Sequence, residues 1–207
     1  MDLNSIITTI LPYASLAGCA GVITVGILLL GYYFYRKKGG LYTITNVQGI
    51  TVFLLAAWLT LVVGLTLLDR GAHYGGRINY WLFSGYVAAW NNRSFGEFQQ
   101  IVFNLIMFMP LGFLLPLLGK SFQRAVPVLL VSLLLSLGVE TAQLLTARGI
   151  FDLDDLLHNT LGGLAGFSLL DAVLTSAKQK KLSIELAYRQ QKLRNSSVRP
   201  ALYDKST

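Results

Sequence analysis

The sequence predicts an all-α polytopic membrane protein with five transmembrane helices and one interfacial or re-entrant extracellular segment. Of its 207 residues, 54% are hydrophobic and only 13% are charged, whereas charged residues make up about a quarter of a typical soluble domain. Five stretches are long and apolar enough to cross a hydrocarbon core of ~30 Å as helices. This composition excludes a soluble enzyme, a disulfide-rich secreted domain and a disordered chain.

The predicted spans are apolar runs bounded by polar residues. They cover residues 16–35, 47–68, 101–118, 126–147 and 156–176. Pro110 and Pro116 lie within the third span, which a membrane helix tolerates when neighbours satisfy the freed carbonyls. Asp154 and Asp155 open the fifth span as a cap and first-turn acids. The chain therefore divides into a first helix with its hairpin (1–46), a four-helix membrane domain (47–175) and a basic tail (176–207).

The distribution of basic residues predicts the orientation. The hairpin 36–46, the loop 119–125 and the tail together carry 13 Lys and Arg, and the opposite side carries four. Because Lys and Arg concentrate in cytoplasmic loops, the N-terminus is predicted outside and the C-terminus in the cytoplasm. The tail suits anionic membrane lipid or a cytoplasmic partner, and nucleic acid is not an expected partner.

The external segment 69–100 is too long for a tight turn, and its longest uncharged run, 78–92, is too short to cross a bilayer. Its eight aromatic residues favour a helix that lies in the outer headgroup layer. A re-entrant element that dips into the helix bundle is the alternative.

Polar side chains inside the spans indicate a candidate site. Glu140, Asn104 and Asn159 lie on three different spans, each about 5 to 10 Å from the midpoint toward the outside at 1.5 Å per residue. An ionisable group at the centre of a span costs ~2.5 to 3.5 kcal/mol, so each such group requires a partner or a purpose. Similar depths allow these side chains to satisfy one another.

The short loop 148–155 predicts that the fourth and fifth spans pair as antiparallel neighbours. Residues three or four apart share a helix face, so Gln143 lies beside Glu140, and His158 and Asn159 lie beside Asp155. We expect one polar pocket, open to the outer leaflet, at which six side chains converge: Asn104, Glu140, Gln143, Arg148, Asp155 and Asn159.

Four blocks of these residues resemble the VanZ-like family of membrane proteins. NLIMFMPLG from Asn104 matches N-x3-F-x-P-x-G, and NTLG from Asn159 matches N-x2-G. Glu140 with Gln143 matches E-x2-Q, and Arg148 with Asp152 and Asp155 matches R-x3-D-x2-D; Arg77 and Asn79 also resemble a polar pair of the family. The resemblance covers about 47–175 and implies an envelope protein associated with low-level resistance to lipophilic glycopeptides such as teicoplanin. It also implies that the matching residues are functional.

Three functions follow as hypotheses. The first is a binding protein for an envelope lipid, a lipid-linked cell-wall or teichoic-acid precursor, or the lipoglycopeptide drug, in which a basic residue with amide donors holds a phosphate. Its candidate ligand-binding residues are Arg148, Gln143, Asn104, Asn159, Arg77 and Asn79.

The second hypothesis is a membrane-embedded enzyme that modifies a lipid-linked envelope component. Its candidate catalytic residues are Glu140, Asp155 and Asp152, of which Glu140 is kept partly protonated by desolvation. No cofactor is predicted, although Asp152, Asp155 and His158 leave a divalent cation open. The third hypothesis is a scaffold whose polar core only holds the helices together and whose tail recruits a partner.

Overall fold

The computed structural model describes residues 3–37, 44–68, 77–93 and 95–198, and almost all of them are helical. The helices, in chain order, are α1 (Leu3–Lys37), α2 (Asn46–Val63), α3 (Ser84–Asn92), α4 (Phe95–Leu118), α5 (Ala125–Leu145) and α6 (Leu153–Val198). A π-helical turn, Gly64–Leu68, extends α2, and a 3-10 turn, Lys120–Phe122, precedes α5.

The predicted fold class is confirmed. In the described ranges, five helical segments are long and apolar enough to cross a membrane: Leu16–Lys37, Asn46–Leu68, Phe98–Leu118, Ala125–Leu145 and Leu153–Asn195. Helix α4 is continuous through both of its prolines, Pro110 and Pro116. Part of the predicted hairpin, 38–43, lies outside the described residues.

The chain divides into two compact units, Met1–Ser168 and Leu169–Thr207. In the second unit, helix α6 continues to Val198, so the predicted basic tail is helical as far as the structure describes it. One ion pair, Arg189 to Glu185 at 2.9 Å, joins successive turns there. The three-part division at 46 and 175 stays a prediction.

Two short strands are an addition to the predicted elements. Strand β1 (Ile78–Asn79) pairs in parallel with β2 (Phe151–Asp152), with Asn79 opposite Asp152. This pairing joins the segment before α3 to the loop before α6. It is too short to change the all-α class, but it places two predicted site residues next to each other.

Helix α3 occupies the middle of the predicted external segment. It has nine residues, which span about 13 Å at 1.5 Å per residue and are too few to cross a bilayer. Trp81, which precedes this helix, is 78% exposed, and Trp90, which lies on it, is 85% exposed. Residues 69–76 and 94 lie outside the described residues, and the choice between an interfacial and a re-entrant position stays a prediction.

Glycines bring the helices of the first unit into close contact. A Cβ added to Gly162 on α6 would lie 2.1 Å from the carbonyl oxygen of Leu105 on α4. A Cβ on Gly112 of α4 would lie 1.7 Å from the carbonyl oxygen of Gly163. Small residues at such positions let helix backbones approach closely in membrane proteins. The glycines after Asn159 therefore set the distance between α4 and α6.

The apolar core is small and centres on Phe108, which is fully buried. The ring of Trp58 packs edge-on against Phe108, and its Nε1 donates a 2.8 Å hydrogen bond to the carbonyl of Met107. At the other end of these helices, the Gln48 side chain donates to the carbonyl of Leu118 at 2.7 Å. These contacts align α2 with α4 and fix the frame on which the polar residues lie.

Candidate functional site

A buried polar stripe runs along α5. Its members, Ser132, Ser136, Glu140 and Gln143, are spaced by three or four residues and are each at most 3% exposed. Such spacing keeps side chains on one helix face. On α6, Asn159 donates from Nδ2 to the Ser136 hydroxyl at 2.9 Å. Glu140 belongs to this stripe, and its predicted partner Asn159 binds the stripe at Ser136, one turn before Glu140.

Glu140 organises the loop between α5 and α6. Its Oε2 accepts a 2.9 Å hydrogen bond from the backbone N–H of Asp152. The Asp152 carboxylate in turn accepts from Asn79 Nδ2 at 3.0 Å and from the N–H of Asp154 at 2.8 Å. The last bond is typical of a helix N-cap, so Asp152 caps the start of α6.

Asp154 was predicted to cap or stabilise the start of its own helix, α6, but its side chain binds another helix. It lies in the first turn of α6 and is 3% exposed. Its carboxylate accepts from the N–H groups of Phe83 and Gly85, the latter at 2.9 Å, and from the Ser84 hydroxyl at 3.2 Å. It therefore caps the N-terminus of α3 from a distant part of the sequence, where a negative charge is favourable.

Asp155 joins α6 to α4. Its Oδ1 accepts from Asn104 Nδ2 at 2.5 Å, and its Oδ2 lies 3.5 Å from the amide nitrogen of Gln100. Asn104 and Asp155, predicted to share a site, are thus in direct contact. Gln100 lies one turn before Asn104 on the same face of α4.

His158 is 1% exposed and shares a 2.8 Å hydrogen bond between its Nε2 and the hydroxyl of Tyr86 on α3. Its Nδ1 is buried and has no hydrogen-bond partner among the described residues. The same is true of Asn159 Oδ1 and Ser132 Oγ. Buried polar atoms are nearly always paired, so the unpartnered Nδ1 requires an explanation.

Gln143 and Arg148 both contact the end of α2. Gln143 Nε2 donates to the carbonyl of Thr66 at 3.2 Å, and Arg148 donates to the carbonyls of Leu67 at 2.7 Å and Leu68 at 3.4 Å. The last carbonyls of a helix lack intrahelical donors and are commonly bonded by side chains. Among the described residues, the Arg148 guanidinium therefore binds the carbonyls at the end of the helical segment 46–68.

The side chain of Arg77 is exposed. The residue is held in position by a hydrogen bond to its backbone. Its carbonyl accepts the N–H of Phe151 at 3.1 Å, next to the strand pairing. Asn79 beside it is more closely involved, because its amide also donates to the Ser84 hydroxyl at 2.7 Å. The predicted polar pair thus separates into a surface residue and a site residue.

These contacts surround a cavity of about 440 Å³, which we call the acidic cavity. It is lined by Asn79, Ser84, Gly85, Ala88, Gln100, Ile101, Gly149, Ile150, Asp152, Asp154, Asp155 and His158. Three of the lining residues are aspartates, and none is Lys or Arg within the part of the chain that the structure describes.

The structure brings the predicted residues together in two neighbouring groups. Asn79, Asp152, Asp155 and His158 line the acidic cavity, and Asn104 touches it through Asp155. Glu140, Gln143, Arg148 and Asn159 lie behind it and hold α2, α5 and α6. Across the described ranges, no three His, Cys, Asp or Glu side chains are arranged to hold a metal ion.

Sequence reasoning missed several residues of this region. Gln100 and Ser136 were accessible from spacing, since each lies four residues from a predicted site residue on its own helix. Tyr86 and Thr66 were not accessible, because their site partners lie more than 65 residues away, and the same holds for the bond between Ser84 and Asp154.

The fold and site define a polytopic helical membrane protein with a polar interhelical core and an acidic cavity at one end of its helices. A family model described as VanZ/LLP1 matches residues 50–174, and the chain belongs to this family. The chain is similar to Protein VanZ of Enterococcus faecium, with 36% identity over 87 residues. That match covers 42% of this chain and 53% of the relative, so it spans about half of the relative's length. No solved structure matches the chain.

Proposed function

We propose that this protein acts in the bacterial cell envelope, contributes to resistance to lipophilic glycopeptides of the teicoplanin type, and does so by recognising an envelope lipid or the drug. The observation that carries the proposal is the acidic cavity, whose polar lining comes from three separate stretches of the chain, 79–88, 100–101 and 149–158. Membership of the VanZ/LLP1 family supports the link to resistance. A cavity of this size suits a polar head group.

The contacts favour a positioning role over a catalytic role for Glu140. This residue is 2% exposed, does not line the cavity and accepts a backbone hydrogen bond, which is a positioning role. A membrane-embedded enzyme is the second candidate, and it is supported by Asp152, Asp155 and His158, which line one cavity together. A general acid or base must reach its substrate, and of the three predicted catalytic candidates Asp152 and Asp155 line the cavity.

We expect Asp155→Asn to abolish the resistance that the protein confers, because the change removes one charge from the cavity wall while leaving an acceptor for Asn104. The measurement is teicoplanin susceptibility of a strain that expresses each variant at an equal membrane level. Asp171→Asn is the matched control, since Asp171 is exposed and does not line the cavity. Full resistance with Asp155→Asn at the normal protein level would refute the proposal.

The proposal also requires that the acidic cavity opens to the outside. The charge distribution predicts this orientation, with the C-terminus in the cytoplasm. We expect a reporter that functions only in the cytoplasm, such as a fluorescent protein, to give a signal when it is fused after residue 207. A reporter that functions only outside the cytoplasm is expected to give no signal at the same position. If only this second reporter gives a signal, the cavity faces the cytoplasm and the proposal is contradicted.

A further inference from the structure

We infer that the acidic cavity takes a ligand that carries a protonated amine. This inference rests on the proposed function and names the chemical class of its ligand. An ammonium group on a lipid head group and one on an antibiotic share this chemistry, and the experiment below distinguishes them.

The charge of the cavity wall is the first argument. Asp152, Asp154 and Asp155 line the cavity, and among the described residues no basic side chain lines it with them. A low-dielectric wall strengthens the field of these carboxylates at the cavity interior. An anionic group would be repelled, whereas a cation would be attracted.

Arg148 is the second argument, because it was the expected partner of a phosphate. Its guanidinium donates to the carbonyls of Leu67 and Leu68 and is not part of the cavity wall. Both bonds are donated by Nη1, and Arg148 lies outside the cavity lining, so a ligand in the acidic cavity does not meet this guanidinium. The geometry therefore favours a cationic ligand over a phosphate at this site.

The third argument comes from His158, which lines the cavity and is 1% exposed. Its Nδ1 has no hydrogen-bond partner among the described residues, while its Nε2 is bonded to Tyr86. A neutral imidazole has one nitrogen that accepts a hydrogen bond. In the tautomer in which Nε2 donates to the Tyr86 hydroxyl, Nδ1 is the accepting nitrogen, and an ammonium donor that enters the cavity would supply its partner.

The size and the remaining lining indicate an organic cation rather than a bare ion. A volume of about 440 Å³ is many times the ~30 Å³ that one water occupies in the liquid. Amides of Asn79 and Gln100 suit polar groups beside the amine, and Ile101 and Ile150 suit its carbon atoms. In the ranges that the structure describes, no group of three or more His, Cys, Asp or Glu side chains is arranged to hold a metal ion.

The test measures thermal unfolding of the purified full chain in detergent with three probes. These are dihexanoyl phosphatidylethanolamine, dihexanoyl phosphatidylglycerol, and teicoplanin before and after acetylation of its amines. A ligand that binds the folded state raises its apparent stability. We expect a rise in Tm with the ethanolamine lipid but not with the glycerol lipid, or a rise with teicoplanin that acetylation removes. The first result identifies a lipid source and the second the drug; the absence of any amine-dependent rise overturns the inference.

Two variants separate binding from folding. Gln100→Lys places a tethered ammonium among the carboxylates and is expected to abolish the amine-dependent rise, whereas Gln191→Lys, at an exposed position of α6 outside the cavity lining, is expected to retain it. Gln100 is exposed and its bond to Asp155 is long, at 3.5 Å, so neither change is expected to unfold the chain. A full rise with Gln100→Lys would overturn the inference.

The two proposals fail in different ways. If the amine-bearing probe binds but Asp155→Asn leaves teicoplanin susceptibility unchanged, the resistance function falls and the amine site stands. If Asp155→Asn abolishes resistance but no probe gives an amine-dependent rise in Tm, the amine site falls and the resistance function stands.

Discussion

Gly162→Ala is expected to remove most of the folded protein from the membrane. The new Cβ would lie 2.1 Å from the carbonyl oxygen of Leu105, and a backbone atom cannot rotate away as a flexible side chain would. Helices α4 and α6 would have to separate, which would also strain the contact between Gly112 and Gly163. Overpacking a core costs ~1 to 3 kcal/mol when side chains can adjust, so a clash with backbone is expected to cost at least the upper end.

The measurements are the protein level in isolated membranes and the Tm of the purified chain. Gly138→Ala is the matched control, because a Cβ at Gly138 on α5 meets nothing within 4 Å. Alanine is also a better helix former than glycine by ~1 kcal/mol, so this variant is expected to be neutral or slightly stabilised. Equal losses in the two variants would show that the close approach of α4 and α6 is not what the glycine provides.

The sequence was sufficient to predict the membrane-spanning elements and part of the site. Length and charge alone determine where a helix crosses hydrocarbon, which is why five spans could be placed. Asn104 and Asp155 could be joined because each is too polar to face lipid, and they are bonded at 2.5 Å. The same reasoning placed Glu140 and Asn159 on one interface. Glu140 lies in the polar stripe of α5, and Asn159 binds Ser136 of that stripe.

The remainder depends on contacts that helical spacing does not encode. The bonds that Asp154 accepts from the start of α3 link residues about 70 apart, and the pairing of β1 with β2 helps to bring these segments together. Arg148 is a similar case. Its partners are carbonyls of the π-helical turn after α2, and the sequence offers no pattern that predicts a π turn at 64–68.

Glu140→Ala is expected to be strongly destabilising, whereas Glu140→Gln is expected to fold. Alanine removes the acceptor of the part-buried Asp152 N–H, and an unpaired donor costs ~1 to 3 kcal/mol when it is fully buried, before the loss of packing is counted. Glutamine keeps a carbonyl oxygen for this bond, while it removes the charge and replaces the second carboxylate oxygen by an amide NH2. The two variants therefore separate the hydrogen bond from the carboxylate.

The effect of Glu140→Ala is expected to reach α3 through Asp152 and Asn79, which link the loop before α6 to the segment before α3. Asp152, once released, loses its alignment with Asn79, and with it the pairing that holds the segment before α3. Amide hydrogen exchange in 84–92 is expected to accelerate more than exchange in 46–63, while Glu140→Gln leaves both near the parent rates. Equal acceleration in the two regions would indicate global destabilisation, and an equally strong effect of Glu140→Gln would show that the charge itself holds the loop.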